Sequence, residues 1–482
     1  MMTMTWLSLL PPLVTIAVAI WSKKTIPSLL VGLLLGGYLL DPRITGGFET
    51  AVDRIVGTLT DKSSLQVLLF LYLFSGLIGI IKKSGGIDAF SALVEKHVAS
   101  KKGVFYVLWA LVPLTFIDCG FRVVGAGSIV RPLAEKQKIA SERLAFMLNN
   151  TASPVIQLIP IATTFVGFNL AIIAQGLKSA GVSDQGTAYA IWLKAIPLEF
   201  FSLAVIAMTV LSMFYDFRSK KQNHAADKPA MKPDIKPKMA SAKPGMSMDA
   251  AKPVITPRIV NLLFPMLSVI ALSIFFFWYF GAERSSGTSL ISAITNTEPN
   301  RAMLVALFIS VFLTSIFYAF QHYGIAEISG DLISGGNEIM PTLAILILAW
   351  PLAAVSQALG LNEFIKQNVG TALPVWSVAV TLFMLTATVT YFIGSSWGTA
   401  SLIMPFAIPL AVSVGATIPL CVAAVITGTT FGDVTSPVAG MTNMSSRIAH
   451  ADHPKYLKYA APYNFGAAAI AAALYLMVGL VF

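Results

Sequence analysis

Residues 149–154 read Asn-Asn-Thr-Ala-Ser-Pro and residues 433–437 read Asp-Val-Thr-Ser-Pro, so a polar phrase ending in proline occurs twice, about 280 residues apart. Each copy follows another polar interruption: residues 117–120 read Ile-Asp-Cys-Gly, and residues 394–399 read Gly-Ser-Ser-Trp-Gly-Thr. Apolar segments interrupted at matching positions of two halves are typical of secondary transporters, whose unwound backbone binds ion or substrate near the bilayer midplane. The duplication predicts two structural repeats, which we expect to be inverted.

The composition indicates a membrane protein. The chain has 56% hydrophobic and 12% charged residues, about half the charge of a typical soluble domain, and its mean hydropathy is +0.75. Because a spanning helix needs about 20 apolar residues, we predict an all-α polytopic fold with about 11–13 transmembrane segments. Short runs beside the polar phrases predict broken helices and re-entrant hairpins. The apolar runs are 7–21, 26–40, 65–81, 104–117, 155–174, 188–214, 259–280, 302–320, 340–358, 375–393, 400–414, 418–431 and 460–482.

A basic stretch divides the chain. Residues 217–258 hold ten Lys or Arg against three Asp, with repeated Lys-Pro pairs. Such sequence cannot bury a core, so we predict a disordered linker between an N-terminal transmembrane half, 1–216, and a C-terminal transmembrane half, 259–482. Its basicity places it in the cytoplasm of a multi-pass protein of the cytoplasmic membrane. It has no interleaved aromatic residues, so a nucleic-acid partner is not expected.

The polar interruptions carry three charged residues of particular interest, Asp118, Arg122 and Asp433. A charge at membrane depth is costly unless paired or hydrated, so each marks a candidate functional site. Asp118 and Arg122 would share one face of a continuous helix, and a purely structural ion pair is the alternative for them. The alternative for Asp433 is a cap on the helix that follows it.

Uncharged polar residues complete the predicted site. The glycines that flank the Ser-Ser pair would free backbone carbonyls beside the hydroxyls, although such a cluster can also be a helix-packing contact. Hydroxyls, carbonyls and a carboxylate form a hard oxygen cage that suits Na⁺, with Asp433, Ser395 and Ser396 as its predicted ligands. The predicted substrate and ion site comprises Asp118, Arg122, Asn149, Asn150, Thr151, Ser153, Ser395, Ser396, Trp397, Thr399, Asp433, Thr435 and Ser436.

Other ionisable residues lie near the ends of the apolar runs or between them, and we expect them to be solvated. They are Glu199, Asp216, His322, Glu327, Asp331, Glu338 and Glu363.

The interrupted segments resemble the NhaC-type Na⁺/H⁺ antiporter family of the ion-transporter superfamily. The similarity covers most of the chain outside the linker and is most specific at residues 394–399 and at residues 431–437, which read Phe-Gly-Asp-Val-Thr-Ser-Pro. It implies an inverted-repeat carrier with paired hairpins that moves its substrate by alternating access, with Na⁺ or H⁺ as the coupling ion.

Four positions depart from the family pattern. Cys119, Asn149 and Gly440 stand where the family usually has acids, and Arg122 replaces a neutral polar residue. A site that has lost carboxylates and gained a guanidinium suits an anion better than a bare cation. The alternative to an antiporter is therefore a Na⁺- or H⁺-coupled carrier of a small organic anion or amino acid, with Arg122 binding its carboxylate.

Classes other than carriers fit less well. The five histidines all lie in or beside loops, and no catalytic arrangement is visible at membrane depth, so an enzyme is not expected. A channel would not need duplicated gates. We expect no cofactor, and as partners the lipid bilayer and a small ion or small-molecule substrate. Whether the protein forms a homodimer stays open.

Overall fold

The computed structural model describes residues 6–95, 100–161, 163–181, 185–214, 255–282, 297–369 and 373–481, and every regular element within these ranges is helical. The helices of the first half are α1 (Leu10–Ser22), α2 (Thr25–Leu40), α3 (Gly46–Thr60), α4 (Lys62–Lys83), α5 (Gly86–Glu95), α6 (Lys101–Ala110), α7 (Val112–Thr115), α8 (Cys119–Lys136), α9 (Ser141–Asn150), α10 (Ser153–Ile156), α11 (Thr164–Ser179), α12 (Gln185–Ala195) and α13 (Phe200–Phe214). Those of the second half are α14 (Val260–Ala282), α15 (Pro299–Ala319), α16 (Ile325–Glu338), α17 (Met340–Ala358), α18 (Leu361–Phe364), α19 (Val375–Ile393), α20 (Ser396–Val414), α21 (Ile418–Thr435), α22 (Gly440–Ile448) and α23 (His453–Val481).

Within the described ranges, eight helical segments are long and apolar enough to cross a membrane. They are α4, α14, α15, α17, α19, α20, the pair α21–α22, and α23. Helices α12 and α13 meet at a 40° bend at the short 3₁₀ turn Ile196–Leu198, and they make a ninth span if the bent pair crosses the membrane as one unit. The segments Trp6–Ser22 and Thr25–Leu40 are apolar but shorter. These helices confirm the predicted all-α polytopic class.

Two predicted runs are divided into short helices. The run 104–117 becomes α6 and α7, and the run 155–174 becomes α10, an irregular stretch and α11. The predicted domain boundaries stay a prediction, because residues 217–254 of the linker lie outside the described part of the chain.

Each half contains a helical hairpin that begins at a polar N-cap and ends at a Ser-Pro phrase. In the first half, α8 follows Asp118, whose carboxylate accepts a hydrogen bond from Phe121 N at 3.0 Å. In the second half, α20 follows Ser395, whose hydroxyl accepts one from Gly398 N at 3.2 Å. Such caps satisfy amides that have no partner within the helix. The hairpins are α8–α9 and α20–α21, and they carry the two polar phrases to comparable positions.

The two halves pack reciprocally around these hairpins. Helix α22, which follows the second Ser-Pro phrase, packs against α8 and α9 of the first hairpin. Helix α11, which follows the first phrase, packs against α20 of the second hairpin. This exchange brings the interrupted segments together in the interior, as two structural repeats would require. The inverted relation between the repeats stays a prediction.

Candidate functional site

The first helix break lies between α9 and α10 and is completely buried. Asn149, Asn150, Thr151 and Ser153 have no exposed surface. Pro154 has no amide hydrogen to continue the helix, and the Thr151 hydroxyl turns back to donate to Met147 O at 2.8 Å. The predicted interruption therefore exists, and it holds polar groups inside apolar packing.

Arg122 holds this break in place. Its Nε donates to Thr151 O at 2.6 Å, its Nη1 to Thr115 Oγ1 at 2.8 Å and its Nη2 to Leu108 O at 3.0 Å. The side chain is fully buried. Arg122 thus joins the end of α6, helix α7 and the first break, where the rigid guanidinium fork suits oxygens from three segments.

Asp118 has different partners, so the alternative of an Asp118–Arg122 ion pair is wrong. Besides capping α8, the Asp118 carboxylate accepts a hydrogen bond from Thr164 Oγ1 at 3.0 Å. The backbone amide of Thr164 also donates to Ile117 O at 3.1 Å. Asp118 therefore ties the start of α8 to the start of α11, and its carboxylate faces the Phe121 amide and the Thr164 hydroxyl rather than the guanidinium.

The second break lies between α21 and α22, and its backbone carbonyls are also satisfied by side chains. Asn464 Nδ2 donates to Val434 O at 2.8 Å, and Thr442 Oγ1 donates to Ser436 O at 2.7 Å. The Ser436 hydroxyl donates to Tyr391 O at 2.6 Å. The break is therefore an ordered segment, held by hydrogen bonds to α19, α22 and α23, rather than a locally unfolded helix.

Side chains from the two breaks meet directly. Ser153 Oγ donates to Asp433 Oδ2 at 3.1 Å. Asn149 Nδ2 approaches Asp433 O at 3.4 Å and donates to Tyr456 Oη at 2.7 Å. Asn150 Nδ2 donates to Asn464 Oδ1 at 2.9 Å. The structure thus brings the two duplicated phrases into one site.

Asp433 is the central acid of this site. It lies in the last turn of α21 rather than before α22, so the alternative that it caps the following helix is wrong. It is 4% exposed, and no ion pair in the described chain includes it. Ser153 and Ser396, both close to its carboxylate, are the first residues of α10 and α20. Helix N-termini carry a partial positive charge that favours an anion. This partial charge offsets only part of the negative charge of the Asp433 carboxylate.

The other predicted residues of the second half have separate roles. The Ser395 hydroxyl is occupied as the cap of α20. Trp397 packs against Phe165 and Phe168 of α11, with ring centroids 5.6 Å and 4.4 Å away. Thr399 is fully buried. The structure therefore places Ser396 beside Asp433, while Ser395 and Trp397 shape the surrounding segment.

Several buried oxygens at the breaks have no hydrogen-bond partner among the described residues. Buried polar atoms are nearly always partnered, so a group of such oxygens indicates room for a bound ion or small polar solute. Together with the Asp433 carboxylate, these amide and hydroxyl oxygens form an all-oxygen donor set, and the described residues hold no cluster of three His, Cys, Asp or Glu. This donor set fits Na⁺ better than a transition metal. The unpartnered oxygens are Asn149 Oδ1, Asn150 Oδ1, Thr399 Oγ1 and Thr435 Oγ1.

A cavity of about 200 Å³ reaches the second break and is lined by Thr435, Asn464 and Lys458, among others. A larger polar cavity, of about 870 Å³, lies elsewhere, between α3, α4, α11 and α17. The smaller cavity reaches the interrupted backbone and the unpartnered hydroxyl of Thr435, although Asp433 itself is not part of its lining. We therefore assign the site from the contacts around Asp433.

Sequence reasoning missed four contributors to the site. Tyr456 and Asn464 lie on α23, far along the chain from the residues that they bond. Gln157 accepts a hydrogen bond from Thr430 Oγ1 at 2.6 Å, and Cys119 lies beside Ser153. Asn464 was the detectable one, because an amide inside a long apolar run marks a polar contact within a membrane.

Two acids expected at the solvated surface are buried, and that prediction is wrong for them. Glu199 has no exposed surface. Asp331 is 7% exposed and forms an ion pair with Lys83 of α4. Tyr323 also donates a hydrogen bond to Asp331. The pKa of Tyr323 is raised above its ordinary range, mainly because the phenol is buried and also because it donates to this carboxylate. Both acids are buried because helices from distant parts of the chain cover them.

Comparison with known proteins agrees with this architecture. Residues 155–480 match the model of the Na⁺/H⁺ antiporter family. An uncharacterised protein of Haemophilus influenzae is 24% identical over 483 residues, which cover 98% of this chain and 90% of that protein.

Two solved structures share the fold. The YdaH transporter of Alcanivorax borkumensis, described as having an unusual topology, has a TM-score of 0.61 at 15% identity, with 98% of this chain and 99% of that chain covered. MtrF of Neisseria gonorrhoeae, which represents a class of antimetabolite efflux pumps, has a TM-score of 0.50 at 16% identity, with 89% and 84% covered. At such identities the likeness concerns the fold alone.

Proposed function

Because the chain belongs to the Na⁺/H⁺ antiporter family and is a multi-pass secondary transporter, we propose that it is an NhaC-type antiporter coupled to Na⁺ or H⁺ through Asp433. The observation that carries this proposal is the meeting of the two helix breaks at one buried carboxylate, with Ser153 of the first break hydrogen-bonded to Asp433 of the second.

A carboxylate in this position can bind either ion but not both. Burial disfavours the bare anion, which a proton or a cation would neutralise. No lysine, arginine or histidine in the described chain forms an ion pair with Asp433, so an ion from solution has to supply the charge. Na⁺ and H⁺ would then compete for one pair of oxygens, and such competition is sufficient for exchange.

Na⁺ would be held by oxygens that come from both halves. Asp433 would supply the carboxylate, Ser153 and Ser396 their hydroxyls, and Asn149 its unpartnered amide oxygen. Ser395 is a weaker candidate than the sequence predicted, because its hydroxyl already caps α20. Ligands from two hairpins would let a small relative movement open the site to one side and then to the other.

The second candidate is a carrier of a small organic anion or amino acid, favoured by the absence of acids at Cys119, Asn149 and Gly440. Arg122 is poorly placed to hold the carboxylate of such a substrate. All three of its nitrogens donate within the protein, and hydrogen bonds to charged groups contribute about 1.5–3 kcal/mol each. An anion would have to replace bonds that hold the first break.

Ion-driven flux in proteoliposomes under an imposed Na⁺ or pH gradient tests the proposal. Asp433→Asn is expected to abolish this flux at normal expression, and Asp433→Glu to shift its pH dependence, because the carboxylate itself binds the ion. The matched control is Asp88→Asn, an exposed acid of α5. Gradient-driven flux in Asp433→Asn with the wild-type pH profile would refute the proposal.

A further inference from the structure

A second buried acid lies at the bend between α12 and α13. Glu199 follows the 3₁₀ turn Ile196–Leu198 and has no exposed surface. Its Oε2 accepts a hydrogen bond from Ser202 Oγ at 3.1 Å. Its Oε1 is buried and has no hydrogen-bond partner among the described residues. This second oxygen is where a proton would reside.

Among the residues that the structure describes, the groups that face Glu199 supply no positive charge. Tyr475 of α23 donates to Leu198 O at 3.0 Å and lies 2.7 Å from Thr427 Oγ1 of α21. Tyr475 and Cys421 are the titratable groups that interact in this cluster, and both types are neutral at neutral pH in their ordinary state. Lys194, on the preceding helix, is exposed.

A carboxylate buried without a cation is strongly disfavoured as the anion, because desolvation of an unpaired charge is costly. The neutral acid avoids the cost of burying a full charge. Ser202 donates to Oε2, which leaves Oε1, without a partner among the described residues, as the oxygen that carries the proton.

Two helices connect Glu199 with the Asp433 site. On α13, Thr209 Oγ1 accepts a hydrogen bond from Asn150 Nδ2 at 3.2 Å, so this helix touches the first break. On α21, Thr427 contacts Tyr475, and Thr430 bonds Gln157 one turn nearer to Asp433. At 1.5 Å rise per residue, Thr427 and Asp433 are about 9 Å apart along the axis. Movement of either break would therefore disturb the bend.

We propose that Glu199 is a proton-binding site distinct from Asp433, which holds a proton in this conformation and releases it when the bend between α12 and α13 moves during transport. The step is a single proton transfer: the O–H bond of the carboxylic acid breaks and an O–H bond forms to a solvent water molecule that the movement admits, which leaves a carboxylate and a hydronium ion. Proton binding does not depend on the proposed antiport, whereas its part in coupling rests on that function.

Infrared difference spectroscopy of the purified protein in H₂O and D₂O tests the proton directly. Glu199→Gln should lose one deuterium-sensitive band of a protonated carboxyl group, and Ser202→Ala should move that band to higher frequency by removing its hydrogen bond. The matched control, Glu363→Gln, alters an exposed glutamate and should leave the band in place. A band that persists in Glu199→Gln would overturn the proposal.

Transport measurements then test release. Glutamine reproduces the neutral acid but cannot lose a proton, so Glu199→Gln should bind substrate normally while its flux loses at least part of the wild-type pH dependence. A wild-type pH profile in Glu199→Gln would overturn release during the cycle. The result for Asp433→Asn bears on the antiport proposal alone, so the two proposals fail independently.

Discussion

Replacement of Arg122 by lysine separates a structural role for this residue from a substrate-binding one. Lysine keeps the charge but has a single ammonium group, which cannot reach Thr151 O, Thr115 Oγ1 and Leu108 O together. With one of the three bonds kept and about 1.5 kcal/mol lost for each of the other two, we expect Arg122→Lys to lower the free energy of unfolding by about 3 kcal/mol.

Equilibrium unfolding by SDS in mixed micelles measures this loss, with Arg54→Lys as the control at an exposed arginine. Substrate affinity per folded molecule should be retained, since all three guanidinium nitrogens donate to groups of the protein itself. A variant with wild-type stability and lost substrate affinity would refute the reasoning and restore Arg122 as a ligand.

The same assay tests the separation of Asp118 from Arg122. In Asp118→Asn, Oδ1 can still accept the bond from Phe121 N, and Nδ2 can donate to Thr164 Oγ1 with the hydroxyl as acceptor, so its own effect should be small. In the double mutant the coupling energy should stay below about 0.5 kcal/mol, the lower limit for side chains in contact. A coupling of about 2 kcal/mol would show that the two side chains pair in the membrane.

Two further predictions concern packing and the linker. Gly432→Ala would place a methyl group 2.2 Å from Thr390 Cγ2, so we expect a loss of about 2 kcal/mol in unfolding free energy and reduced flux. The control Gly330→Ala, with nothing within 4 Å of the added methyl group, should keep wild-type stability and flux. Equal effects of the two substitutions would contradict the close approach of α19 and α21. Replacing residues 223–253 by a flexible spacer of equal length should leave transport near wild type, because Lys-Pro-rich sequence buries little; loss of flux at normal expression would show that the stretch is required.

The sequence alone determined the class of the protein and the location of the breaks. Long apolar runs and the polar Ser-Pro phrases act locally. A bilayer requires the runs to be helical, and a phrase of polar residues ending in proline favours a break, because proline lacks the amide hydrogen of the next helical bond. The same local reasoning predicted three site residues, Asp433, Ser153 and Asn149. A polar residue inside apolar sequence is costly to bury in a membrane, so its presence beside a break marks a candidate functional site.

Only the tertiary structure decided what each polar group contacts. The spacing of Asp118 and Arg122 suggested a pair, yet α8 begins at Asp118 and uses its carboxylate as a cap, which leaves Arg122 to carbonyls of other segments. Tyr456 and Asn464 join the site from α23, and Glu199 is buried by helices from the far half of the chain. Such contacts depend on helix packing over hundreds of residues, and no local pattern of hydrophobicity or charge encodes them.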